Sequence, residues 1–130
     1  EADNWSPLSN VPSATTVDLT APAAIADLGV GTVGATSVEL TWTAPGDDGD
    51  TGTATSYDIR YSENAIDAGN FDSATPVASP PAPQAAGSAE SFTVAGLTNG
   101  VMYYFAIKAV DEAGNTAAIS DVVTATPALW

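Results

Sequence analysis

The stretch Leu97-Thr98-Asn99-Gly100-Val101-Met102-Tyr103-Tyr104-Phe105-Ala106-Ile107-Lys108-Ala109-Val110-Asp111 decides the fold. It opens on Asn99-Gly100, a turn in which glycine takes the positive φ that a Cβ resists. It then alternates: Tyr103, Phe105, Ile107 and Ala109 on one face, Tyr104, Ala106, Lys108 and Val110 on the other. Period two over this length is a half-buried strand, with the one interior charge on the second face. A tyrosine three residues past such a turn suits a tyrosine corner, its hydroxyl bonding back to the turn backbone.

Outward from this strand, the same alternation recurs. Thr36 to Thr43 places Val38, Leu40 and Trp42 inward and Ser37, Glu39, Thr41 and Thr43 outward. Thr55 to Ser62 places Tyr57, Ile59 and Tyr61 on one side and Asp58 and Arg60 on the other. Glu90 to Ala95 sends Phe92 and Val94 inward, and Ala117 to Thr126 closes the set. Ile25, Leu28 and Val30 read as a first strand. Phe71 to Val77 reads as a short edge strand, stopped by Pro76 and the run Ser79-Pro80-Pro81-Ala82-Pro83. Seven short β segments between Gly, Pro, Asp and Asn turns, with no helical period, predict an all-β sandwich.

Trp42, Tyr57, Leu97, Gly100, Tyr103, Phe105 and Ala109 together resemble the fibronectin type III family over residues 21–127. The resemblance implies an immunoglobulin-like β-sandwich of seven strands, here with an N-terminal extended leader. Residues 1–20 read as that leader, a donated or linker strand, and residues 128–130 as a short apolar tail. Pro7 and Pro12 exclude a stable helix from the leader, while Ala14 to Thr20 is rich in β-formers. A chain this size buries roughly 65–70% of its unfolded surface, enough for a self-sufficient core.

Two cations stand against sixteen acids, for a net charge of −14. That excludes binding to nucleic acid or an anionic membrane through a basic patch. No apolar run approaches the ~18 residues of a membrane span. Without cysteine or histidine the chain has no thiol nucleophile, no usual general base and no common zinc ligand. A glycosidase needs two carboxyls flanking a cleft, one with a raised pKa, and solvated loop aspartates offer neither. The expectation is therefore no enzymatic activity. The abundance of Thr, Ser, Ala, Gly and Pro with little Lys leans toward an exported prokaryotic protein, at the cell surface or outside it.

The most acidic loop is Pro45-Gly46-Asp47-Asp48-Gly49-Asp50-Thr51-Gly52. A second, Asp111-Glu112-Ala113-Gly114-Asn115, meets it at one pole of such a sandwich. Clustered carboxylates on a bendable backbone are what Ca²⁺ takes. Asp47, Asp48, Asp50, Asp111, Glu112 and Asn115 are thus a candidate Ca²⁺ set, of weak affinity, about 10⁻⁴–10⁻³ M. The competing reading is two solvated turns. Arg60 and Lys108 point outward by parity, toward surface pairing with Asp58 or other acids worth about 0–1 kcal/mol each. Asn4-Trp5-Ser6 is an N-glycosylation sequon.

The expected partner is protein. An apolar β-forming leader or tail can add itself to the exposed sheet edge of a neighbouring subunit, and head-to-tail addition builds a filament. The expected function is an extracellular module that spaces, adheres or assembles. The alternative is an accessory or carbohydrate-associated domain of a secreted polysaccharide-degrading enzyme. Against carbohydrate binding, Tyr104 is the only clear outward aromatic by parity.

Overall fold

The computed structural model describes residues 20–128. In chain order the strands are β1 (Gly29–Val33), β2 (Val38–Thr43), β3 (Ser56–Ser62), β4 (Thr75–Pro76), β5 (Ala89–Val94), β6 (Tyr103–Val110) and β7 (Val123–Ala125). They form two antiparallel sheets, a three-stranded β1-β2-β5 and a four-stranded β4-β3-β6-β7. Each sheet turns one face of its period-two pattern to the other. Val38, Leu40, Trp42 and Val94 come from one side, and Tyr57, Ile59, Phe105, Ile107 and Ala109 from the other. A large side chain buried in full is stabilised by about 1.5–3 kcal/mol over its exposed state, so this layer dominates the fold. At its centre Trp42 meets Tyr57 edge to face, ring centroids 5.3 Å apart, the arrangement the ring quadrupoles favour.

The turn before β6 is built as its sequence demands. Gly100 has φ +85°. The Tyr103 hydroxyl accepts the Thr98 N–H at 2.9 Å, so the tyrosine corner is formed. Gly100 N–H donates to the Pro127 carbonyl at 2.7 Å, and Ala128 N–H to Gly34 at 3.0 Å. The C-terminal end is thus fastened between the β1–β2 and β5–β6 turns. The N-terminal approach is fastened at the other pole. There Gly49 N–H donates to Ala21 and Ala23 N–H donates to Gly49, each at 3.0 Å.

Four expectations from the sequence are corrected. Ile25 and Leu28 are buried, but the first strand begins only at Gly29. The Asp121 carboxylate takes the Leu28 N–H at 2.9 Å and holds that approach outside the ladder. The Ala117–Thr126 segment is a strand only over its last part, Val123–Ala125. Before that, the Ser120 hydroxyl accepts the Ile107 N–H at 2.9 Å, replacing a backbone partner.

Phe71 does not open a strand. It begins a 3-10 turn, Phe71–Ser73, followed by the two-residue β4. The turn lays Phe71 on the outer face of the four-stranded sheet in a second apolar cluster with Ile66, Ala74 and Ala106, flanked by Tyr104 and Ile119. In consequence Arg60, Lys108 and Tyr104, expected at an open surface, face this cover. The Arg60 guanidinium carbon lies 5.4 Å and the Lys108 Nζ 4.6 Å from the Phe71 ring centroid. Arg60 does pair with Asp58 at 2.9 Å, and it also donates to the carbonyls of Asp72 (2.9 Å) and Ala74 (3.2 Å). A cation at the carboxyl end of a helical turn is where the peptide dipoles favour it.

Candidate functional site

The two acidic loops converge at the pole where the N-terminal approach is fastened. In the β2–β3 loop, Asp47 N–H donates to Thr51 at 2.8 Å and Thr51 N–H donates to Asp48 at 3.0 Å, a tight turn with Gly49 at φ +62°. Gly46 lies against this turn so closely that a Cβ there would stand 2.3 Å from the Thr51 amide nitrogen. In the β6–β7 loop, Asp111 is buried, and its carboxylate accepts the N–H groups of Ala113 (3.0 Å) and Asn115 (2.8 Å) and the Asn115 side-chain amide (2.9 Å). Asp111 and Asn115 therefore shape the loop between them.

Asp47 faces Glu112. Its pKa is raised to about 6, first by the hydrogen bond shared with Glu112, then by desolvation and by the charges of Glu112, Asp48 and Asp111. A carboxyl facing other carboxylates holds its proton more tightly than a free one. The Asp47 Oδ1 atom is shielded from water and meets no donor. Asp50 turns away and borders a separate depression with Ala23 to Asp27. The structure thus brings Asp47, Asp48, Asp111 and Glu112 within range of one another, keeps Asn115 on Asp111, and sends Asp50 elsewhere. Among the described residues, no group of three or more carboxylates that could hold a metal ion occurs.

Two groups escaped the sequence reading. Glu90 shares the inward parity of Phe92 and Val94 and is buried opposite Trp42 in the ladder. Its carboxylate accepts the Tyr57 hydroxyl and the Gln84 N–H, the latter at 3.1 Å. Burial first, then that carboxylate, pushes Tyr57 above the usual phenol range. The Trp42 indole N–H finds no hydrogen-bond partner. Elsewhere, Asp27 accepts both the hydroxyl (2.6 Å) and the amide (3.0 Å) of Thr43, and these bonds hold its carboxyl below the usual range.

The sheet edges differ in how they end. Beside β1, the Glu39 carboxylate takes the Thr32 N–H at 3.1 Å, and Gly31 leaves it room. β4 carries Pro76. β5 pairs only with β2, so its outer edge is open among the described residues. Between that edge and β4 runs a groove of about 400 Å³ lined by Tyr61, Pro76, Val77, Ala78 and the Phe92 to Ala95 segment, without a charged side chain.

These features define a two-sheet immunoglobulin-like module whose free elements are its poles and one strand edge. The chain belongs to the fibronectin type III family: the family model for the fibronectin type III domain matches residues 21–126. Calcium-activated chloride channel regulator 1 of Sus scrofa is 38% identical over 120 residues, covering 88% of this chain and 13% of that protein. Regulator 4 of Homo sapiens is 35% identical over 125 residues, covering 92% of this chain and 14% of that protein. The chain therefore spans about an eighth of the length of such relatives.

The fourth FNIII domain of a human protein, solved in solution, superposes with a TM-score of 0.59 at 18% identity, covering 94% of this chain and 91% of that one. An Fn3-like protein from Clostridium thermocellum gives 0.55 at 22% identity, covering 81% and 92%. At these identities the structural likeness shows the fold alone. These curated relatives are mammalian, so they lend no support to the lean toward a prokaryotic source. Abundant Thr and Ser suit the solvent faces of any exposed sheet and carry no lineage.

Proposed function

We propose that this chain is a non-enzymatic, extracellular spacing and interaction module, one segment of a longer cell-surface or secreted assembly, with protein as its partner. The observation that carries the reading is where the chain leaves the sandwich. Ala21 is fastened to Gly49 at one pole, while Pro127 and Ala128 are fastened to Gly100 and Gly34 at the other. A module entered at one end and left at the other strings neighbours in line. The relatives, about seven times longer, fit a module carried within a larger chain.

The side chains support a role without chemistry. No histidine or cysteine is present, and the buried acids Glu90 and Asp111 are occupied in holding β5 and the β6–β7 loop. The charge of −14 and the covered positions of Arg60 and Lys108 disfavour nucleic acid and anionic lipid. The leader segment Ala14 to Leu19, offered above as a donated strand, and Asn4 of the sequon lie outside the described residues, as do Leu129 and Trp130 of the tail.

Small-angle scattering from two copies joined head to tail through the native leader tests the reading. The maximum dimension should come close to twice that of one copy. A folded-back pair no longer than a single copy overturns it.

A further inference from the structure

We infer that the open edge of β5, with the groove beside it, docks an extended segment of a partner protein that is apolar at alternate positions and basic at the end that lies beside Glu63. The inference rests on the interaction-module reading and names the surface and the kind of partner.

The two flanks of the sandwich are closed differently. On the β1–β7 flank, Asp121 N–H donates to Ile25 at 3.3 Å and the Asp121 carboxylate accepts Leu28 N–H, so backbone bonds span the sheets. On the β4–β5 flank, the crossing segment is Val77 to Gly87, which holds Pro80, Pro81 and Pro83. Proline has no N–H to give to a neighbouring strand. The bonds this segment does make are at its ends. Val77 N–H donates to Ile59 at 2.9 Å, Ala86 N–H to Gly52 at 2.9 Å, Gly87 N–H to Ala44 at 2.9 Å and Gln84 N–H to the Glu90 side chain, while Ala85 accepts the Ser88 N–H at 3.1 Å. Among the described residues, the β5 backbone beyond its β2 bonds is left unpaired, which is the template that strand addition uses.

The lining settles what fits. Phe92, Val77 and Tyr61 are only half-buried, though all three pack against the core. They leave an apolar floor that a strand's alternate side chains would complete. No charge lines the groove. Its Tyr61 end is acidic, because Tyr61 also borders the depression that holds Glu63 and Asn64. An occupant with an apolar body and a cationic end matches that pattern and the net charge of −14.

The same charge disfavours a second copy of this chain. Two bodies of −14 repel, and the chain's two cations are both held over Phe71 on the opposite sheet.

The probe is a synthetic peptide of about six alternating valines and threonines with lysines at one end, titrated into the full chain and followed by backbone amide NMR. Saturable shifts at Phe92 to Ala95 and at Val77 are expected, absent when the end residues are glutamate. Ala78 is exposed at the groove, so Ala78→Lys should weaken binding about tenfold or more with the melting temperature unchanged. Shifts confined to Asp47–Asp50 and indifferent to Ala78→Lys would overturn the inference, as would no binding. Self-association through β5, seen by sedimentation and abolished by Ala78→Lys, would overturn the assignment of the occupant. None of these results bears on the exit of the chain from opposite poles, which scattering tests separately.

Discussion

Phe71→Ala is the substitution that most strains this account. The ring is fully buried, yet it sits on the outer face of a sheet, beneath the turn that carries it. Truncating a buried phenylalanine costs about 3–5 kcal/mol, less where the site can collapse. Here the cover is a loop of Ile66 and Ala74 rather than a second sheet, so the low end applies, about 3 kcal/mol. The ring also faces Arg60 at 5.4 Å and Lys108 at 4.6 Å. Each such contact contributes about 0.5–1 kcal/mol at a partly exposed site. The expected loss is therefore about 4 kcal/mol in urea unfolding followed by tryptophan fluorescence.

Phe71→Leu separates the two contributions. It keeps most of the volume and loses the ring quadrupole, and about 1–2 kcal/mol should go. Limited proteolysis of Phe71→Ala should cut within Glu63 to Asn70 while the sandwich remains intact. A loss below about 1 kcal/mol, with that segment still protected, would refute the claim that Phe71 and the two cations seal the face.

The remaining predictions concern the corner, the acidic pole and the buried acid. Tyr103→Phe removes the acceptor of the Thr98 N–H and should cost about 1 kcal/mol with an unchanged urea m-value; no change would mean the corner contributes nothing. Asp47, raised to about 6 from 3.8, keeps in the folded state a proton that the unfolded chain releases. Its contribution is full below pH 3.8 and is lost as pH rises through about 6, so the melting temperature should rise on acidification from neutrality. Asp27, lowered by Thr43, acts in the opposite sense and loses its contribution as pH falls below 3.8. Asp47→Asn should flatten the upper limb and stabilise the chain at pH 7; an unaltered profile would show that the Asp47 carboxyl is not raised in the folded chain. Glu90→Ala strands the Tyr57 hydroxyl and the Gln84 N–H and should cost at least about 1–3 kcal/mol by urea denaturation, whereas a neutral result would show water taking both places.

Parity made the inner layer legible. Val38, Leu40, Trp42, Tyr57, Ile59, Tyr103, Phe105 and Ile107 alternate without interruption, and a one-residue slip would turn every one of them to solvent. The corner was legible because Asn99-Gly100 and Tyr103 act over five residues or fewer. Phe71 was not, because an aromatic next to Thr75 and Val77 scores as strand, and only tertiary contact with Ala106 and Lys108 turns it onto the sheet. A signal did exist: Ala106, with its small side chain, lies between Tyr104 and Lys108 on a face expected to be polar. Glu90 could have been found by parity, since it alternates with Phe92, but its partner Tyr57 comes from the other sheet. The acidic pole was legible as two loops and not as a geometry. Whether Asp50 turns toward Glu112 or toward Ala23 depends on the Gly46–Gly49 turn, which no periodicity encodes.

Hydrogen exchange of the free chain, read amide by amide, tests most directly the claim that one sheet face is sealed and one strand edge is left for a partner. The amides of β6 between β3 and β7 should exchange only through global unfolding, and Ala106 to Lys108 beneath Phe71 should be as slow as any. Along β5, amides bonded to β2 should be slow and the alternate, outward ones fast. Uniform protection along β5, or rapid exchange at Ala106 to Lys108, would contradict it.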